Sequence, residues 1–147
     1  MKLSAQEEYG LRCLLHVARC GEGPTIPEIS MAEGLSEPYV AKLMRVLRIG
    51  GFVKSARGQV GGYVLARPAD QIIVSDTLDV LGGRLFESNF CERHAGNEQT
   101  CNHSVDCAVR SLWRAIQGAV DDVASKLTLR DLLSHEQQVT SLVKGKF

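Results

Sequence analysis

The stretch LSEPYVAKLMRVLRIGGFVKSARGQVGGYVLARP, residues 35–68, decides the fold. Ser36 is placed to cap a helix, Pro38 suits its first turn, and the pair Gly50-Gly51 ends it. At about 100° per residue, Val40, Leu43 and Leu47 share one face while Lys42, Arg45 and Arg48 gather on the other. The runs FVKSA and YVLA follow, rich in β-branched and aromatic residues. Between them RGQVGG, residues 57–62, supplies the glycines that a tight hairpin needs.

Upstream, Ser4 followed by Glu7 makes a capping box, and Leu11, Leu14, Leu15 and Ala18 recur at helical spacing up to Gly21, predicting a helix over 4–20. A short second helix is expected over 26–33, with Pro27 in its first turn and Gly34 at its end. Two helices joined by a short turn, the second apolar inside and basic outside, form the helix-turn-helix pattern, whose second helix enters the major groove of DNA. The hairpin behind it reads as a wing. Ser36, Tyr39, Lys42 and Arg45 are the candidate base and phosphate contacts, and Arg57 at the wing tip, with Gly58, Gly61 and Gly62, is the candidate minor-groove contact.

The whole chain of 147 residues suits one domain or a small domain with an appendage, and 44% apolar residues allow a modest core. Its formal charge of zero conceals an asymmetry. Residues 1–67 carry nine Lys/Arg against six Asp/Glu, and residues 68–147 carry eight against eleven. Residues 38–67 contain six basic side chains and no acidic one, as a surface facing a polyanion requires. No apolar run approaches the roughly 20 residues of a membrane span, and MKLSAQEEYG lacks the pattern of a secretion signal, so a cytoplasmic protein without a membrane partner is expected.

Beyond the winged-helix domain expected over 1–67, a connecting segment over 68–83 holds a short helix capped by Ser75 and stopped at Gly82-Gly83. A polar loop over 84–107 carries three cysteines, and its length suggests that it binds something. A long helix over about 106–127 heads the segment 108–134, and a flexible tail is expected over 135–147. Val109, Leu112, Trp113, Ile116, Val120, Val123 and Leu127 form one apolar stripe along roughly 30 Å of that helix. The stripe packs either on its own domain or, as the better reading, on an antiparallel copy in a homodimer, which matches a two-fold symmetric double-stranded DNA operator.

Five cysteines, an odd number, argue against a disulfide framework. Cys91, Cys101 and Cys107 are spaced C-x9-C-x5-C, unlike paired zinc knuckles, and suit an iron-sulfur cluster, zinc, copper(I) or simply free thiols. Three thiolates leave one ligand missing. His94, His103, Glu92, Glu98 and Asp106 are near enough in sequence to supply it, whereas Cys13 and Cys20 on the first helix read as packing residues.

EYGLRCLLHVA, LSEPYVAKLMRVLRIGGFV and RGQVGGYVLARP together resemble the bacterial repressor family that includes IscR, the nitric-oxide sensor NsrR and the iron-responsive RirA. The resemblance covers nearly the whole chain and implies a mainly α fold with a small β-hairpin wing and a long C-terminal dimerisation helix. It also implies that Cys91, Cys101 and Cys107 ligate an iron-sulfur cluster, either [2Fe-2S] or [4Fe-4S]. IscR-type members carry a histidine three residues after the last cysteine, where this chain has Arg110. NsrR-type members recruit an acidic side chain from the partner subunit at the place occupied here by Glu8. The expected function is therefore a DNA-binding repressor switched by a cluster that senses redox state, nitric oxide or iron. A metal-free thiol repressor and a small metal-binding enzyme or cluster-transfer protein are the alternatives.

Overall fold

The computed structural model describes residues 3–56, 58 and 61–146. Three helices come first: α1 (Ala5–Cys20), α2 (Ile26–Glu33) and α3 (Glu37–Ile49). The Ser4–Glu7 capping box forms as expected, with Ser4 N–H donating to Glu7 Oε2 at 2.7 Å and Glu7 N–H to Ser4 Oγ at 3.2 Å. A second box, Thr25–Glu28, opens α2. Its donors hold the Glu28 carboxyl below the usual carboxylate range, the Thr25 backbone first and its hydroxyl second. Gly21 and Gly34 end α1 and α2 in the left-handed region that costs glycine least.

Strands β1 (Val53–Ser55) and β2 (Tyr63–Leu65) pair antiparallel, with Val53 opposite Leu65, Lys54 opposite Val64 and Ser55 opposite Tyr63. This is the expected wing, confirming a mainly α winged-helix fold. Helices α4 (Val74–Leu81), α5 (Phe90–Arg93), α6 (Ala108–Ala124), α7 (Leu129–Leu132) and α8 (Glu136–Lys146) complete the chain.

One core unites the two ends of the molecule. Cys13, Leu14 and Val17 of α1, Ile29 of α2, and Val40, Leu43, Met44 and Leu47 of α3 pack with Phe52 and Val53 of the wing. Ile72, Leu81 and Leu129 join them from much later in the chain. Leu81 lies against Gly10, where an added Cβ would meet its Cδ2 at 2.3 Å. The exit of α6 is stitched to the entry of α4 by an antiparallel bridge between Ile73 and Thr128. Val74 N–H donates to Leu127 O at 2.9 Å and Leu129 N–H to Ile72 O at 2.8 Å.

The structure departs from the sequence reading at four places. Ile73, not Ser75, is the N-cap residue of α4, and Ser75 lies in its first turn. The long helix ends at Ala124 because the chain must turn to form the Ile73–Thr128 bridge, so Leu127 packs with Val74 and Ala124 instead of extending the stripe. The loop over 84–107 contains α5, with Cys91 inside it. In place of a flexible tail, α8 forms and Val143 packs on that same second cluster.

Leu129 is 1% exposed and anchors the returning chain. Leu129→Ala is expected to cost about 2–5 kcal/mol, read by urea denaturation. Hydrogen exchange at the Val74 and Leu129 amides should accelerate more than exchange within α3. Equal acceleration throughout would show that the bridge is not separately anchored.

Candidate DNA interface and cysteine pocket

Burial of Val40, Leu43, Met44 and Leu47 fixes the rotation of α3 and leaves Lys42, Arg45 and Arg48 exposed on its outer side. Ser36 occupies the N-cap position, but its backbone does the work: its carbonyl accepts from Tyr39 and Val40 N–H at 3.1 and 3.0 Å. Its hydroxyl makes no capping bond and the residue stays exposed. Tyr39 is half-buried, its ring edge-on to Tyr9 with centroids 6.1 Å apart, so it ties α3 to α1 as well as flanking the basic face.

Of the wing candidates, Arg57 lies outside the described residues. Gly58 and Gly61 have φ of 154° and 72° and open space where a side chain would stand. Gly62 also has a packing role. A Cβ there would lie 2.0 Å from Gly23 O, so glycine lets the wing close on the turn before α2, where Tyr63 N–H donates to Pro24 O at 3.1 Å. Arg67, part of the basic segment, stacks its guanidinium over buried Phe52 at 5.2 Å.

Cys91, Cys101 and Cys107 are free, partly exposed and line one open pocket. Three segments deliver them: α5, the turn after it, and the N-cap of α6. Cys107 is itself that cap, its sulfur accepting from Arg110 N–H at 3.3 Å. The Arg110 side chain reaches back to donate to Ser104 O at 3.0 Å, clamping the loop onto α6. Gln117, the polar interruption of the apolar stripe, accepts from Phe86 N–H at 3.0 Å and holds the start of the loop. Arg84 bridges Asp79 of α4, at 3.6 Å, and Asp121 of α6. Sequence reading missed these three supports; a buried glutamine amid an apolar stripe was the signal available for Gln117.

The candidates for a further ligand separate. Glu92 and His103 line the cysteine pocket. His94 is stacked on Phe90 at 4.1 Å, with Nδ1 2.7 Å from Phe90 O. Glu98 and Asp106 are exposed and do not line the pocket. Glu8 is exposed on α1 and is not part of this pocket within its own chain. Among the described residues, no three His, Cys, Asp or Glu side chains converge closely enough to hold a single metal ion. No helix among them is long and apolar enough to cross a membrane.

The family description "Rrf2: Iron-dependent Transcriptional regulator" matches residues 3–135. The transcriptional regulator CymR of Bacillus subtilis is 37% identical over 137 residues, covering 92% of this chain and 91% of that protein. Its solved structure, described as that of the global cysteine regulator, superposes with a TM-score of 0.70 over 90% of this chain and 96% of that one. The transcriptional regulator IscR of Sodalis glossinidius is 33% identical over 139 residues, covering 93% and 81%. The solved structure of T. potens IscR superposes with a TM-score of 0.70 at 34% identity, covering 90% and 86%.

The thiols differ in chemistry as well as place. Burial pushes the Cys13 thiol up to about 11, helped by the charge of Glu33 and opposed by Arg12. At pH 8 it stays protonated and shielded, so native metal-free protein is expected to alkylate at Cys20, Cys91, Cys101 and Cys107 first, with Cys13 following only on unfolding or near pH 11. Because the folded value lies above the ordinary 9.0, this thiol's contribution to stability is full below pH 9 and is lost as pH rises toward 11. Site-resolved mass spectrometry of alkylated peptides checks the order.

Proposed function

The chain belongs to the Rrf2 family of transcriptional regulators, and we propose that it is a homodimeric DNA-binding repressor whose operator affinity is set by an iron-sulfur cluster on Cys91, Cys101 and Cys107. The observation that carries this reading is that three free, partly exposed thiols from three segments line one pocket at the head of α6. Their donor chemistry fits: soft thiolates suit iron-sulfur clusters, and a cluster spreads its ligands over several irons and so needs no three donors around one ion. When bound, the cluster supplies a group sensitive to oxidant, nitric oxide and iron shortage.

The remaining work falls to the chain. The apolar stripe of α6 supports dimerisation: Val109, Leu112, Val120 and Val123 are 57%, 54%, 36% and 38% exposed, an unusual cost unless a partner covers them. Glu8, exposed and outside its own cysteine pocket, is free to reach the partner's pocket as the fourth ligand. A carboxylate beside three thiolates is a hard, readily displaced ligand. Were Glu8 to hold the cluster in this way, its loss would uncouple α1 of one subunit from α6 of the other and would let the two winged-helix units change their spacing on DNA. Lys42 and Arg45 then engage phosphates and base edges, with Ser36 offering a free hydroxyl.

A second reading, a metal-free thiol regulator, is favoured by the 37% identity to a regulator described as a global cysteine regulator. Iron and sulfide analysis separates the two.

Anaerobically isolated protein is expected to absorb in the visible region, with loss of the band in Cys101→Ala and an altered operator affinity. Glu8→Ala should keep the fold but shorten the lifetime of the band in air. Colourless protein with full thiol titre, or operator binding indifferent to loss of the band, would refute the switch. Lys42→Ala and Arg45→Ala should each weaken DNA binding and lower the slope of log affinity against log salt by about 1, measured by fluorescence anisotropy across a salt series.

A further inference from the structure

Cys20 reads as a small packing residue in the sequence, but the structure gives it other company. It is exposed at the end of α1, and its Sγ lies 3.3 Å from His16 Nε2, one helical turn back. His16 Nδ1 in turn faces Glu33 Oε1 of α2 at 3.5 Å. Glu33 is held by Arg12, whose Nε donates to Oε2 at 2.9 Å and whose Nη2 donates to the Glu33 carbonyl at 3.0 Å. Thiol, imidazole and carboxylate thus stand in series, the carboxylate as a longer charge contact behind the imidazole. The imidazole and carboxylate are 20% and 13% exposed, so they are largely screened from solvent, whereas Cys20 is exposed. Among the described residues, no other cysteine sulfur is within hydrogen-bonding reach of a histidine.

The surroundings matter as much. His16, Cys20, Gly23, Pro24, Met31 and Gly61 line one open pocket. Gly23 and Pro24 form the turn on which the wing closes: Gly62 leaves no room for a Cβ against Gly23 O, and Tyr63 N–H donates to Pro24 O. A group attached to Cys20 would occupy the seat of the wing.

We propose that Cys20, with His16 and Glu33, is a second reactive-thiol site, separate from the loop cysteines, which takes a hydroperoxide and then a small thiol and thereby unseats the wing. His16 Nε2 accepts the Cys20 proton, and the sulfur attacks one peroxide oxygen. The S–O bond forms as the O–O bond breaks, and the leaving oxygen takes the proton from His16. The thiol is oxidised by two electrons to a sulfenic acid and hydrogen peroxide is reduced to water. A small thiol then displaces the sulfenic oxygen as a second water, leaving a mixed disulfide. Cys13, seven residues back and fully buried, is not placed to resolve it. The site operates whether or not the loop cysteines carry a cluster.

The experiment is site-resolved alkylation of the full metal-free chain with iodoacetamide at neutral pH. His16→Gln is expected to slow modification of Cys20 about tenfold or more, with a smaller loss in Glu33→Gln. The Cys101 rate should stay unchanged and Cys13 should stay protected, which reports that both variants fold. An unchanged Cys20 rate in His16→Gln overturns the activation. In Cys91→Ala/Cys101→Ala/Cys107→Ala protein, hydrogen peroxide followed by glutathione should add one glutathione, absent when Cys20→Ser is included. That adduct should speed hydrogen exchange at the Tyr63 amide several-fold. No adduct overturns the site, and an adduct without faster Tyr63 exchange overturns its link to the wing.

Discussion

Everything after the wing hangs on the bridge between Ile73 and Thr128. It fixes both ends of a long excursion, residues 74–127, at one point on the winged-helix core. The cysteine loop and α6 therefore leave and return as a single arm. Without the bridge α6 would be a tethered helix. With it, any shift of the arm presses on the element through which it enters, α4.

Contact magnitudes show how firmly the arm is held. Leu81 and Leu129 are buried in the common core, and each buried leucine of this kind is worth about 2–5 kcal/mol against alanine. The Arg84 pairs with Asp79 and Asp121 are half-exposed, a class worth roughly 0–1 kcal/mol. Apolar packing thus anchors the base of the arm, while its outer part is latched by weaker polar contacts, Gln117 to Phe86 among them. That division leaves the base rigid and the cysteine end adjustable. From the base, Leu81 bears directly on Gly10 of α1, and α1 bears on α3 through Tyr9 and Tyr39. A continuous packed route joins the arm to α3.

The wing is held by a different constraint, close backbone approach. Gly62 lets the hairpin meet the Gly23–Pro24 turn, so the wing and the turn beside Cys20 are in direct contact. The loop cysteines sit on the arm that packs through α4 and α1 toward α3, and Cys20 sits beside the turn on which the wing closes.

The sequence by itself determined what is local. Capping residues, glycine stops and helical periodicity placed α1 to α3 and the hairpin, because each signal acts within a turn or two of its own residue. The same locality marked the basic face of α3 and the cysteine-bearing loop. Only the tertiary structure decided where α6 ends, because Leu127 is drawn out of the stripe by a bridge to a strand-like residue far back in the chain. It alone decided that Ser75 is not a cap, that Glu136–Lys146 folds as α8 with Val143 packed on the second cluster, and that Gly62 closes on Gly23. It also brought Glu33 of α2 behind His16 and Cys20 of α1. Each of these depends on partners distant in sequence, which no local pattern can pair.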